Sequence, residues 1–389
     1  MVWVLNLRSR IGWLRGIIRT EMGLVYTTVG NMGSSFLGGL FWLVLASLLA
    51  VESYGLVNYY IAIGSVFSAV ALTGLDATVI TYMAKGEKHI NYQANSLVLI
   101  SGLSVGLVLS FFQMGSGLLA VAMVFFMMAI AETLGRKRYR EYAFLSIGQR
   151  VVQISLSLFL YFQFGIMGIV IGYFLGNLIF SYPYIKSMSN FTLKVDSVKE
   201  KRNFTLHSYG FNLIRNFTNY LDKIIIGPLF GYFVLGLYQL GFQFFMFLSI
   251  IPMSLYYYLL PEESSGNNKA KIKQIGFGLA VVAAVLAFFT LPYFIEILFP
   301  SFVGAILVVR IMSLAIIPST IVAVMNASLL GRGESRVVLI AGLIYLSSLI
   351  VGVIALGGAL GALGLALTLV VAQSIQAIVL LVRRKVAFS

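Results

Sequence analysis

The chain contains no cysteine, which excludes disulfides, thiolate metal sites and cysteine nucleophiles together. Its two histidines, His89 and His207, stand far apart at the margins of apolar runs, and they suggest neither a metal site nor a general base. No G-x-x-x-x-G-K-[ST] phosphate loop, H-E-x-x-H zinc motif or G-x-S-x-G elbow occurs, so nucleotide hydrolysis and the commoner hydrolase chemistries have no carrier. A membrane glycosyltransferase or polymerase would need a catalytic constellation in a sizeable loop, and only one linker near the midpoint is long. The adjacent Glu262 and Glu263 fall in "PEESSGNNKAK", which reads as a solvated loop. The reading is of a protein that is not an enzyme and carries no cofactor.

Charge is also scarce: only 10% of the 389 residues are ionic, against about a quarter in soluble domains. What fills the chain instead is hydrophobic, at 60% with a mean hydropathy of +0.96. Apolar runs of membrane-spanning length recur throughout. In lipid only helices and closed barrels satisfy their own backbone groups, and the period-two alternation of barrel strands is absent. The fold class is therefore an all-α polytopic membrane protein. The opening "MVWVLNLRSRIGWLRGIIRT" (residues 1–20) is basic with a Trp/Leu/Ile face and predicts an interfacial amphipathic helix.

Breaks at charged or Gly/Pro-rich joints give twelve apolar segments: 24–50, 55–84, 91–112, 115–133, 142–162, 165–186, 205–229, 232–260, 272–299, 302–330, 336–357 and 361–382. All but four of the 27 Lys and Arg fall in alternate joints: the N-terminus, the joints after segments two, four, six, eight and ten, and the C-terminus. By the positive-inside rule these joints and both termini are cytoplasmic, in a multi-pass protein of the plasma membrane. The formal charge of +14 thus encodes topology and attraction to anionic membrane lipids. It is no nucleic-acid footprint, because the aromatics sit in the spans and do not interleave with the cations.

The longest polar stretch, around 187–203, divides the spans six and six, and the halves resemble one another. Leu134-Gly135-Arg136 matches Leu330-Gly331-Arg332, and Gly165 and Gly168 match Gly361 and Gly364, all at an offset of 196; Gly55-Leu56 and Asn31 match Gly236-Leu237 and Asn212 at an offset of 181. Six spans per half make this a parallel repeat about an axis along the membrane normal. The expected organisation is an interfacial helix (1–20), an N-terminal six-helix lobe (21–186), a cytoplasmic linker (187–203) and a C-terminal six-helix lobe (204–389), with a central cavity.

Arg150, Arg215, Lys223 and Arg310 remain, all inside spans, where each costs about 2.5–3.5 kcal/mol at a helix centre and marks protein or water rather than lipid. On helix seven, Ser208, Asn212, Arg215, Asn216, Asn219, Asp222 and Lys223 fall within an arc of about 120°. Helix one repeats this more weakly with Thr27, Asn31, Ser34, Ser35 and Gly38. The two stripes are repeat-equivalent and are expected to face one another across the cavity. A structural network of Arg215, Asp222 and the asparagines is the plainer alternative.

For Arg150 the expectation is snorkelling to the interface; Arg310 stays open between the two roles. Asp76, toward one end of helix two, binds either a coupling cation, H+ or Na+, or an interfacial partner. Glu296 is expected to reach outer water. The tyrosines of "SLYYYLLPEES" read as an aromatic belt, and Pro252, Pro292 and Pro318 as sites of helix breaks.

"YLDKIIIGPLFGYFVLGLYQLGFQF" (220–244), "ILFPSFVGAILVVRIMSLAIIP" (297–318) and "ASLLGRGESR" (327–336) resemble the polysaccharide flippases of the multidrug/oligosaccharidyl-lipid/polysaccharide (MOP) exporter superfamily. The shared pattern is an Asp late in helix seven, a glycine-bounded turn, a G-x-Y entering helix eight and an L-x-G-R-G joint. The resemblance implies two six-helix lobes and passage of a lipid-linked oligosaccharide, phosphate- or pyrophosphate-attached, from the cytoplasmic to the outer leaflet. The surplus of cations in the spans suits such an anion. The expected site is Arg215 with Arg310 or Lys223 on the phosphate, with Asn31, Ser34, Asn212, Asn216 and Asn219 on sugar hydroxyls. Asp222 and Asp76 would carry a coupling ion or a charge network. The expected partners are the lipid-linked substrate, membrane lipids and glycan-assembly proteins around a monomer, with no nucleic acid. The rival readings are a cation-coupled multidrug exporter and a non-transporting scaffold of a glycan-assembly complex.

Overall fold

A computed structural model describes residues 22–87, 89–267 and 269–386, with side chains described to residue 382. The expected interfacial helix over 1–20 and the C-terminal cations Arg383, Arg384 and Lys385 lie outside the described residues or side chains. Every described regular element is helical, and the protein is a multi-pass membrane protein.

The helices follow the twelve apolar segments closely. Helix one is Met22–Leu48; helix two is split into Val51–Leu72 and Leu75–Ala84; helices three, four and five are His89–Phe112, Met114–Gly135 and Tyr139–Phe164; helix six is Ile166–Ile179 followed by Tyr182–Ser187. Helix seven is Arg202–Phe230, helix eight Tyr232–Leu248 with Ile250–Ser264, helix nine Ala270–Leu298, and helix ten Ile306–Leu314 with Ile316–Gly331. Helices eleven and twelve form one run, Ser335–Val386, interrupted at Gly361. Among the described residues nine helices are long and apolar enough to cross a membrane, or ten if the pair bent by 49° after Ile179 is one span. The difference from twelve has two causes: the run broken at Gly361 counts once, and helix seven is too polar to qualify.

The chain separates into two compact units. The first takes the chain to Phe41 and again from Tyr60 to Tyr220; the second takes Trp42–Tyr59 and the chain from Leu221 onward. Helix seven therefore gives its first part to one unit and the remainder to the other.

In the first unit, Leu75, Val79, Ile90, Val98, Val124, Met128 and Tyr184 form a buried apolar core. Between membrane helices, however, lipid is as apolar as leucine, so close approach through small residues takes over as the cohesive device. Gly168, Gly172 and Gly176, spaced every four residues on helix six, lie on the backbone of helix five at Leu160, Ser157 and Gln153, where any Cβ would clash. Helix two breaks where Thr73 and Gly74 adopt positive φ of 49° and 77°, and a Cβ at Gly74 would strike the backbone of Thr205 and Tyr209. The polar linker is tied down: Gln93 Oε1 accepts the backbone N–H groups of Ser197 and Val198 at 2.9 and 3.3 Å, and Ser96 Oγ that of Thr192 at 3.0 Å.

The second unit is built on Ile226, Leu235, Tyr238, Phe245, Met312, Val353 and Leu369, with the buried Tyr54 edge-on to both Trp42 and Phe302. Two of the three expected proline breaks occur. Helix eight is interrupted after Leu248 and helix ten after Leu314, which are the residues whose carbonyls Pro252 and Pro318, four positions on, cannot bond. Pro292 instead lies inside the continuous helix Ala270–Leu298. Glu263 departs from the solvated loop read from sequence. It is buried, within Ile250–Ser264, and pairs with Lys273 at 2.5 Å.

The repeat is visible in local geometry. Gly165 and Gly361 share a conformation, φ 58°, ψ −140° and φ 56°, ψ −134°. Three residues on, Gly168 meets the Leu160 carbonyl and Gly364 that of Leu356. Helices four and ten end in the same cap: Lys137 N–H to Leu134 O and Arg138 N–H to Thr133 O recur as Gly333 to Leu330 and Glu334 to Leu329.

Candidate functional site

The polar stripe on helix seven opens into a cavity of about 280 Å³ inside the first unit. Helix seven supplies Asn212, Arg215, Asn216 and Asn219, helix five Gln149 and Arg150, helix six Tyr173 and Asn177, and helix two Asp76 with Ser65 and Ser68. The spacing i, i+3, i+4, i+7 puts the four helix-seven residues on one face. Arg215 and Asn219 are exposed to the cavity, and Asn212 and Asn216 are half-buried.

The buried Asp76 occupies the first turn after the Gly74 break, where the backbone N–H groups of Asp76 and Ala77 reach its carboxylate. The Asn212 amide donates to both of its oxygens, each at 3.2 Å. Arg215, one turn along helix seven, acts on it electrostatically. The first-turn acid is thus held by amides, by the helix N-terminus and by a neighbouring cation at once.

Arg150 does not snorkel. Its Nη1 donates to Gln153 Oε1 at 2.9 Å, and Gln149 donates to the same oxygen at 2.9 Å. Gln153 is fully buried, and neither Arg150 Nε nor Gln153 Nε2 has a partner among the described residues. A Cβ at Gly38 of helix one would lie in van der Waals contact with the guanidinium. The signal for this network was in the sequence: Ser146, Gln149, Gln153 and Ser157 recur on one face of helix five, and all four are buried.

The other expected site residues are distributed differently. Asn31 accepts the Tyr142 hydroxyl, and Ser34 donates to the Asn31 carbonyl at 3.2 Å; neither lines the cavity. Lys223 and Asp222 belong to the second unit and are buried, 4% and 3% exposed. Asp222 accepts the Tyr238 hydroxyl at 2.6 Å, the Lys223 backbone N–H at 2.9 Å and its ammonium at 3.2 Å, while that ammonium lies 4.0 Å from the centre of the Phe242 ring. Arg310, also in the second unit, stacks over Phe288 at 5.5 Å. Glu296, His89 and His207 are exposed.

A larger cavity, about 710 Å³, lies between Met22, Tyr26 and the basic joint at 137–141. It adjoins residues outside the described range, and its cations are those of the joint, Arg138 being paired with Glu141 at 3.4 Å. Among the described residues no cluster of His, Asp and Glu could hold a metal ion.

Solved structures share this arrangement of helices. A lipid II flippase, MurJ, in an inward closed conformation superposes with a TM-score of 0.66 at 15% identity, over 93% of this chain and 87% of that one. An inward-facing multidrug resistance MATE family transporter of the MOP superfamily gives a TM-score of 0.67 at 15% identity, over 93% and 94%. A MOP superfamily transporter from Pyrococcus furiosus, described as having a binding pocket of reversed polarity, gives 0.53 at 14% identity, over 93% and 94%. At such identities the likeness is one of fold. No curated protein sequence matches the chain. A family model described as polysaccharide biosynthesis protein matches residues 44–303, and the chain belongs to that family, a membrane transporter family built on the fold of the MOP superfamily.

Proposed function

We propose that the protein is a flippase that carries a lipid-linked oligosaccharide, joined through phosphate or pyrophosphate, from the cytoplasmic to the outer leaflet by alternating access during synthesis of a surface polysaccharide. The observation that carries the reading is the cavity itself. An apolar unit that could have closed around leucines instead keeps two arginines and a ladder of amides around one space, and such groups within membrane spans mark a substrate path. Arg215 takes the phosphate, with the charge and fork geometry for an oxyanion, and Asn212, Asn216 and Asn219 take sugar hydroxyls. Lys223 is already committed to Asp222, so the phosphate role falls to Arg215. A cation exporter would place its acids where this cavity places a surplus of arginine.

The test is flipping of a fluorescent lipid-linked oligosaccharide in proteoliposomes. The wild-type protein should move it, and Arg215→Ala should slow it by about tenfold or more, the worth of one charge-assisted contact. A wild-type protein that moves no such lipid, or an alanine variant that keeps the full rate, would sink the proposal.

A further inference from the structure

Resting on that reading, we infer that the cavity selects a headgroup with one negative charge, a sugar joined to its lipid through a single phosphodiester, and that Arg150 and Asp76 make the selection. Arg150 is a second phosphate ligand. Its Nη1 is held by Gln153, whose oxygen Gln149 also fixes, so the side chain is set in place before anything binds. The Nε, sealed from solvent without a partner, leaves open the guanidinium edge that grips an oxyanion with two parallel bonds. The buried Gln153 Nε2, likewise without a partner, is a further donor awaiting an oxygen. Buried donors of this kind are rare in folded proteins and call for an acceptor.

Asp76 sets the limit on charge. Both its oxygens accept from Asn212, the pattern of a carboxylate, which only accepts. The cavity lining therefore holds two cations, Arg150 and Arg215, against one anion. One phosphodiester brings this to neutrality. A diphosphate overshoots it and sets its second charge against a carboxylate that the protein has already placed, and like charges brought together out of water are strongly disfavoured. The cavity is small as well, at about 280 Å³ near the lower end of ligand pockets, which suits one phosphate and its first sugar.

The experiment uses the purified full-length protein and two short-chain polyprenyl probes with the same sugar, one joined by a monophosphate and one by a diphosphate, with binding measured by calorimetry. Wild type should bind the monophosphate about tenfold more tightly, a modest discrimination for one added like charge. Asp76→Asn should raise diphosphate affinity until the preference is lost or reversed, and Arg150→Gln should weaken both probes by about tenfold. Equal or tighter wild-type binding of the diphosphate overturns the inference while leaving the flippase reading intact. Failure of both probes to bind removes both. The wild-type ratio decides even if a variant does not fold, and a folded Asp76→Asn with an unchanged ratio also overturns the assignment.

Discussion

Gly55 and Gly236 lie back to back in the second unit: a Cβ on Gly55 would strike the carbonyl of Tyr232, and one on Gly236 the carbonyl of Val51. Both partners sit 181 residues apart, as the glycines do, so the contact is reciprocal and a local two-fold axis passes between the helices. Repeat-equivalent residues touching one another in this way is the geometry of an isologous interface, here within one chain. Gly55→Ala and Gly236→Ala should each destabilise the protein by about 2 kcal/mol, since the new methyl meets backbone that cannot turn aside. The double variant should cost scarcely more than either, because separating the helices for one methyl makes room for the second. Thermal unfolding in detergent measures this, and additive costs would show that the glycines do not share one crossing.

Lys137 adopts a positive φ of 56° where its repeat partner is Gly333 at 80°. A lysine in that conformation costs about 1 kcal/mol relative to glycine. Lys137→Gly should therefore raise the unfolding midpoint, and Gly333→Lys should lower it. An unchanged or lower midpoint in Lys137→Gly would show that the lysine is compensated by contacts other than the shared cap.

Asp222 is saturated by donors from its own unit, which favours a structural role. Asp222→Ala strands a buried ammonium and should cost about 3–5 kcal/mol, whereas Asp222→Leu with Lys223→Met removes both charges and should be close to neutral. Tyr238→Phe should cost about 1.5–3 kcal/mol, the worth of a hydrogen bond to a charged group. If the double variant unfolds like wild type yet moves no lipid in proteoliposomes, Asp222 serves transport directly.

The helices were legible because apolar run length and alternating basic joints are imposed by the bilayer, whatever packs against what. The face of helix seven was legible for the same reason: Asn212, Arg215, Asn216 and Asn219 share it by periodicity alone. The breaks at Gly74 and Gly361 were not, since a glycine bends a helix only where a neighbour or a loop demands it. Arg150 was misread because the count of charges drew attention to the ion and away from Gln149 and Gln153, the neutral groups that hold it. Lys223 was assigned to the cavity by its angle on the helix. The sequence hides that its long stem folds back onto Asp222, the adjacent residue, because adjacent side chains on a helix ordinarily diverge.

The close packing of Gly172 on helix five carries a consequence for the duplicated halves. In the first half the glycine stands on helix six, against Leu156 and Ser157; in the second the equivalent position is Thr368, and the glycine has crossed to the partner helix as Gly352, against which Thr368 rests. One void is thus filled from opposite sides in the two copies. The inherited quantity is the distance between two helix axes, and either helix can yield the room for it. A search for such pairs by matching glycine to glycine would pass over this one, while a search for a small residue on either member of a facing pair would find it.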